Sequence, residues 1–299
     1  MVTIQIEARP TLGQWLAGAR PRTLPAAIAP VLVGTAVALQ AGGFAPVRAL
    51  LALVVSLALQ VGVNYANDYS DGVRGTDADR IGPLRLVGSG RARPATVRRA
   101  AFGCFAVAAV AGLALALLTG LWWLVLVGAA CIAAAWYYTG GRKPYGYLGF
   151  GEVFVFVFFG LVAVCGTTLV QLGRVTGPAV VGGVGVGALA CALLVANNLR
   201  DIEGDRRVGK RTLATRVGAP ATRGLYAGLV LLALIALVAL AALTSWSALL
   251  GMVGLAMLAP ALAVVLRRAQ GSDLIPVLKA TGMSELVYAI GICLGLATQ

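Results

Sequence analysis

The stretch "NYANDYSDGVRGTDADR", Asn64 to Arg80, decides how the chain is read. It holds four aspartates, Asp68, Asp71, Asp77 and Asp79, yet no charged residue precedes it back to Arg48. A carboxylate at the mouth of an apolar segment is costly unless something positive meets it. Working outward, 60% of the chain is hydrophobic and 12% is charged. A soluble domain carries about 25% charged residues. The apolar residues come in long runs, and runs of about 18 or more read as membrane-spanning helices.

Nine spans are expected, near 24–41, 47–66, 98–118, 121–138, 152–170, 178–198, 221–242, 246–266 and 278–297. The positive-inside rule orients them. With the N-terminus in the cytoplasm, all of the 24 Lys and Arg except Arg48 and Arg174 fall on the cytoplasmic side. The expected fold is all-α and polytopic, with nine transmembrane helices around a central cavity and one domain over residues 1–299. The start of the sequence is too polar for a cleavable signal, so the first span is expected to act as an uncleaved anchor.

A net charge of +13 could suggest nucleic acid. Here the basic residues sit in loops facing an anionic leaflet, and no basic domain interleaved with aromatics lies outside the spans. Nucleic-acid binding is therefore excluded. There is no histidine, which removes imidazole as base or metal ligand. The five cysteines lie singly inside apolar stretches and read as small buried hydrophobes.

Two long loops, 67–97 and 199–220, share a pattern. Asn67 precedes Asp71 by four residues, and Asn197 precedes Asp201, which precedes Asp205, by the same step. Residues four apart lie on one helix face. Two such clusters facing each other would offer hard oxygen ligands suited to Mg²⁺ together with substrate phosphates. Asn67, Asp68, Asp71, Asp77, Asp201 and Asp205 are the candidate metal ligands; Asp79 and Glu203 can equally be salt-bridge partners. Arg74, Arg85 and Lys210 lie in the same loops, Arg142 and Lys143 stand after the aromatic run Trp136-Tyr137-Tyr138, and together they suit a polyanion such as a diphosphate. For any single arginine the plainer reading is a solvated topology determinant. Acidic residues contribute little to topology, so that reading does not cover the aspartates.

At these residues the chain resembles the UbiA superfamily of intramembrane prenyltransferases. Asn67 and Asp71 match the start of its N-x-x-x-D-x-x-x-D motif, and Asp201 and Asp205 match its D-x-x-x-D motif. The third acidic position of the first motif falls on Gly75, with Asp77 two residues later. The stretches "WLAGARPRTLPAA" (15–27), "YTGGRKPYGYLGFGE" (138–152) and "NNLRDIEGDRRVGKRTLA" (197–214) resemble the branch acting on 1,4-dihydroxy-2-naphthoate in menaquinone synthesis. The resemblance implies Mg²⁺, a polyprenyl diphosphate donor, and transfer of the prenyl group with loss of CO₂ and diphosphate. It implies a site at the cytoplasmic face of the cell membrane, with the prenyl tail in lipid or a lipid-open groove. Asp71, Asp201, Asp205 and Lys143 are then expected to carry catalysis. Asn67, Arg74, Arg85, Tyr138, Arg142, Glu152, Asn197 and Lys210 are expected to bind substrate, with Glu152 near the aromatic acceptor.

Other readings stay open at this point. The acceptor could be another aromatic such as 4-hydroxybenzoate. A cation-coupled transporter predicts charges near mid-membrane, whereas these gather at one face. A phosphatidyl-alcohol transferase resembles one compact acidic motif, and here the acidic sites are split across two loops.

Overall fold

A computed structural model describes residues 10–76 and 84–298. Asp77 and Asp79 lie outside the described residues. Helix α1 (Leu12–Ala19) starts at a reciprocal cap, in which the Thr11 hydroxyl accepts the Gln14 amide and the Gln14 side chain accepts the Thr11 amide. It stops at Arg20, in the left-handed region at φ 54°, and Pro21 begins a short turn. The chain bends there by 50° into α2 (Pro25–Gln40).

The remaining helices are α3 (Pro46–Arg74), α4 (Pro94–Thr119), α5 (Leu124–Tyr137), α6 (Gly151–Leu172), α7 (Gly177–Arg207), α8 (Leu213–Leu243), α9 (Trp246–Leu266) and α10 (Gly271–Ala297). No strand occurs among the described residues. Seven helices are long and apolar enough to cross a membrane, and α1 with α2 forms an eighth as a bent pair. Each expected window holds a helix, but α5 is short, at 14 residues. The protein is a multi-pass membrane protein.

Two helices outrun their apolar windows. Helix α3 continues to Arg74 and α7 to Arg207, so the acidic motifs ride on their last turns rather than in loops. Gly75, at φ 74°, ends α3, where the Thr76 amide donates to the Asp71 carbonyl at 3.1 Å. A left-handed helix stop favours glycine. That explains why no acidic residue stands at this position.

Lipid is as apolar as leucine, so helices in a membrane gain little from hydrophobicity and rely on close packing. Helix α7 takes the centre, with 72% of its apolar window buried. Its Gly183 and Gly187, four apart, let the backbone of α6 come close at Gly160. A Cβ on Gly160 would lie 2.5 Å from the Gly183 carbonyl oxygen and 2.6 Å from Gly187 Cα. Around α7 the core holds Leu189, Tyr226, Leu237 and Tyr288. A second cluster joins α3 and α4 to the returning segment through Ala66, Leu86, Val87, Ala101 and Phe105.

Charge marks the two ends of the bundle. The Arg48 guanidinium donates to the Leu118 and Val170 carbonyls at 2.8 and 3.1 Å, capping the final turns of α4 and α6. At the opposite end of α3, Arg74 donates to the Thr139 and Gly141 carbonyls. Gly160→Ala is expected to lower stability by about 1–3 kcal/mol through overpacking of α6 on α7. Thermal unfolding in detergent reads this, and an unchanged melting temperature would contradict the close approach.

Candidate active site

The ends of α3 and α7 meet in one cavity of about 1070 Å³. Asn67 and Asp71 line it from α3, and Asn197, Asp201 and Asp205 line it from α7. Spacing by four turns each set to a single face, and the fold brings both faces together. Asp71, Asp205 and Asn67 are buried.

Two of these carboxylates, Asp71 and Asp201, are met by a hydroxyl or a cation. Tyr147 donates its phenol to Asp71 Oδ1 at 2.5 Å, and Lys210 Nζ lies 3.7 Å from Asp71 Oδ2. Lys210 and Arg74 both stand over the Tyr147 ring, 4.6 and 5.3 Å from its centroid. Burial, with Asp71 alongside, pushes the Tyr147 phenol well up, so at neutral pH it stays a donor. The Thr139 hydroxyl donates to Asn67 Oδ1 at 2.7 Å. Arg200 forks both oxygens of Asp201. On the far wall Asn64 Nδ2 reaches the Ala19 carbonyl and the Thr23 hydroxyl, tying the bend between α1 and α2 to α3.

Asp68 faces elsewhere. One helical step turns a side chain by about 100°, and Asp68 is not among the cavity-lining residues. Its two oxygens accept the Leu86 and Val87 amides at 2.8 and 2.9 Å, in full burial. It therefore pins the returning segment to α3. Gly72 allows that seat, since a Cβ there would lie 2.5 Å from Val87 Cγ1.

Of the other expected residues, Arg85, Tyr138 and Lys210 line the cavity. Arg142 and Lys143 are exposed on the linker after α5 and do not line it. The lysine that meets Asp71 is Lys210, not Lys143. Arg74 anchors the Thr139–Gly141 backbone. Glu152 is buried behind the wall, where Asn198 Nδ2 donates to its Oε1 at 2.9 Å and Oε2 has no partner among the described residues. Glu203 pairs with Arg206 at 3.3 Å on the exposed face. Sequence reasoning missed Tyr147, Thr139, Asn198 and Arg200. Two signals were present: Tyr147 and Thr139 lie in the glycine-rich 138–152 stretch, and Asn198 and Arg200 flank the second motif.

Away from the charges the cavity is apolar, with Val55, Leu59, Gly112 and Ile132 among its walls. A row of rings runs inward from the polar end. Tyr138 meets Tyr145 edge-on at 5.5 Å, Tyr145 stacks on Phe154 at 3.9 Å, and Phe154 stacks on Phe158 at 5.9 Å. Trp136 instead packs between Tyr69 and Phe102, and Tyr137 is exposed. The donor set of carboxylates and amides suits a hard divalent cation. Among the described residues, no three carboxylates are gathered tightly enough to grip one alone. Such an ion would need oxygens from a ligand as well.

The UbiA prenyltransferase family description matches residues 27–280. A 1,4-dihydroxy-2-naphthoate octaprenyltransferase of Mycobacterium tuberculosis (strain ATCC 25618 / H37Rv) is 52% identical over 288 residues, spanning 96% of this chain and 98% of the relative. One from Escherichia coli (strain K12) is 41% identical over 223 residues, spanning 73% and 72%. A UbiA homologue from Aeropyrum pernix K1 superposes with a TM-score of 0.69 at 15% identity, covering 91% of this chain and 97% of that one. A UbiA homologue from Archaeoglobus fulgidus, solved with DMAPP and Mg²⁺, gives 0.62 at 13% identity, covering 95% and 99%. At those identities the structures establish a shared fold.

Asp68→Ala is expected to leave two buried amides without acceptors, at about 1–3 kcal/mol each. Limited proteolysis of the 84–93 segment should then accelerate. Cleavage at the wild-type rate would contradict the anchoring role of Asp68.

Proposed function

Because the chain belongs to the UbiA prenyltransferase family, we propose that this cavity transfers a polyprenyl group from its diphosphate to 1,4-dihydroxy-2-naphthoate. Diphosphate and CO₂ leave, and the product is demethylmenaquinol, the hydroquinone form of demethylmenaquinone, since the transfer changes no oxidation state. One observation carries the reading: two carboxylate-bearing helix ends and several cations close the polar end of a single cavity whose remainder is apolar. The names of the relatives support the acceptor.

Asp71, Asp201 and Asp205, with Asn67 and Asn197, would hold Mg²⁺. When bound, the ion supplies charge neutralisation at the departing diphosphate. Arg85, Arg200 and Lys210 line the same end and are placed to pair with phosphate oxygens. Tyr147 orients Asp71 by its phenol bond and cannot serve as a base while its proton is held there. The prenyl tail lies in the apolar part, where each buried CH₂ contributes about 0.8 kcal/mol. The rings of Tyr138, Tyr145 and Phe154 line the same cavity and would shield the positive charge that builds on the allylic carbon as its C–O bond breaks. An electron-rich ring carbon of the acceptor then attacks, and loss of CO₂ and a proton restores aromaticity. Glu152, oriented by Asn198, is assigned to the acceptor side. The site opens on the cytoplasmic face of the cell membrane, in keeping with the charge asymmetry of the loops.

Purified protein given dihydroxynaphthoate, a polyprenyl diphosphate and Mg²⁺ is expected to form demethylmenaquinol with one diphosphate per product. A chelator should stop it. Asp71→Asn and Asp205→Asn should each lower turnover by about a hundredfold or more, the scale of losing a leaving-group contact, while the protein still folds. Prenylation of 4-hydroxybenzoate alone would overturn the acceptor, and near-normal turnover in both variants would overturn the site.

A further inference from the structure

Asp201 is held by its own neighbour in the chain. Arg200 Nε stands 2.6 Å from Asp201 Oδ1, and Nη2 stands 2.7 Å from Oδ2. The same Nη2 donates to Asn197 Oδ1 at 2.8 Å. Successive side chains on a helix diverge by about 100° and do not face each other. The guanidinium therefore curls back along α7 to make this fork. The Arg200 side chain is 4% exposed and that of Asp201 is 9%. All three residues line the cavity. One guanidinium thus takes up oxygens on two residues that the proposed function assigns to the ion.

We propose that Arg200 is a displaceable internal counter-ion. It holds Asn197 and Asp201 until a diphosphate arrives, then passes to the phosphate oxygens as the divalent cation takes the carboxylate. Cation and diphosphate consequently bind cooperatively at this site. The inference rests on the metal–diphosphate reading above and deepens it.

The argument is one of competition and of a fate for the loser. A guanidinium and a divalent cation cannot share the same two oxygens. An expelled Arg200 with no new partner would be a buried, unpaired charge, which is strongly unfavourable. Metal alone is therefore opposed. A diphosphate changes this, because its oxygens accept the planar fork as well as a carboxylate does.

The test measures Mn²⁺ binding to the full chain in detergent by the electron paramagnetic resonance of free ion. It is done with and without an unreactive geranyl thiolodiphosphate, against a protein-free control for chelation by that compound. In the wild type the compound should tighten Mn²⁺ binding about tenfold or more, within the usual range of coupling between sites. In Arg200→Gln, Mn²⁺ alone should bind about tenfold tighter, and the coupling should shrink toward onefold. Arg206→Gln removes the same charge from the exposed face and should change neither quantity. Arg200→Lys keeps the charge without the fork and should show reduced coupling; it decides the matter if the Gln variant unfolds. Wild-type affinity and wild-type coupling in the Arg200 variants would overturn the inference and leave the site intact. Failure of the wild type to bind Mn²⁺ even with the compound would overturn the underlying reading instead.

Discussion

A carboxylate held in an apolar surrounding needs a cation within reach, and much of this molecule is arranged around that requirement. Asp71 and Asp201 stand at the polar end of a cavity cut through an apolar bundle. Each has a positive partner from the chain, Lys210 for Asp71 and Arg200 for Asp201. Lys210 comes from the segment that follows α7, and Arg200 comes from α7 itself, one residue before Asp201. The same stretches of sequence therefore carry both signs. Charge of both signs at one end and lipid-like walls elsewhere match a substrate that is a polyanion at one end and a hydrocarbon at the other.

The packing serves this placement. Glycines on α6 and α7 let those helices approach at backbone distance, which sets α7 at the centre and points its last turns at the cavity. Asp68 fixes the segment after α3 by two backbone amides, so that Arg85 is delivered to the cavity wall. Tyr147 joins three parts of the chain. Its phenol holds Asp71, its ring lies beneath Lys210 and Arg74, and its carbonyl accepts the Arg211 amide at 3.1 Å. Loops that are distant in sequence are thereby locked around one carboxylate.

Most spans were legible because length and hydropathy are local properties of a membrane helix. Of the nine expected, the window 121–138 holds only the 14-residue α5, too short to count among the seven long spans and the bent pair. Asn67, Asp71, Asn197, Asp201 and Asp205 were legible because spacing by four is a geometric statement about a helix face. Asp68 was grouped with them because adjacency in sequence hides a turn of about 100° about the axis. Its partners, Leu86 and Val87, are backbone donors whose position no side-chain pattern announces. Arg142 and Lys143 were named because they are basic and near an aromatic run, but a linker's path sets exposure, and it leaves both outside. Tyr147, Thr139 and Arg200 act through contacts across loops or by curling back along a helix, which spacing rules do not encode. Gly75 marked a departure from the acidic motif; its positive φ shows the position is used to stop the helix.

The central claim is that the two acidic helix ends serve one ion. A double-mutant cycle on Asp71→Asn and Asp205→Asn, read as Mn²⁺ affinity with geranyl thiolodiphosphate present, addresses it directly. If both residues bear on one ion, the double variant should lose little more than either single one, a coupling of about 0.5–3 kcal/mol. Losses that simply add would mean separate sites, and the account would fail.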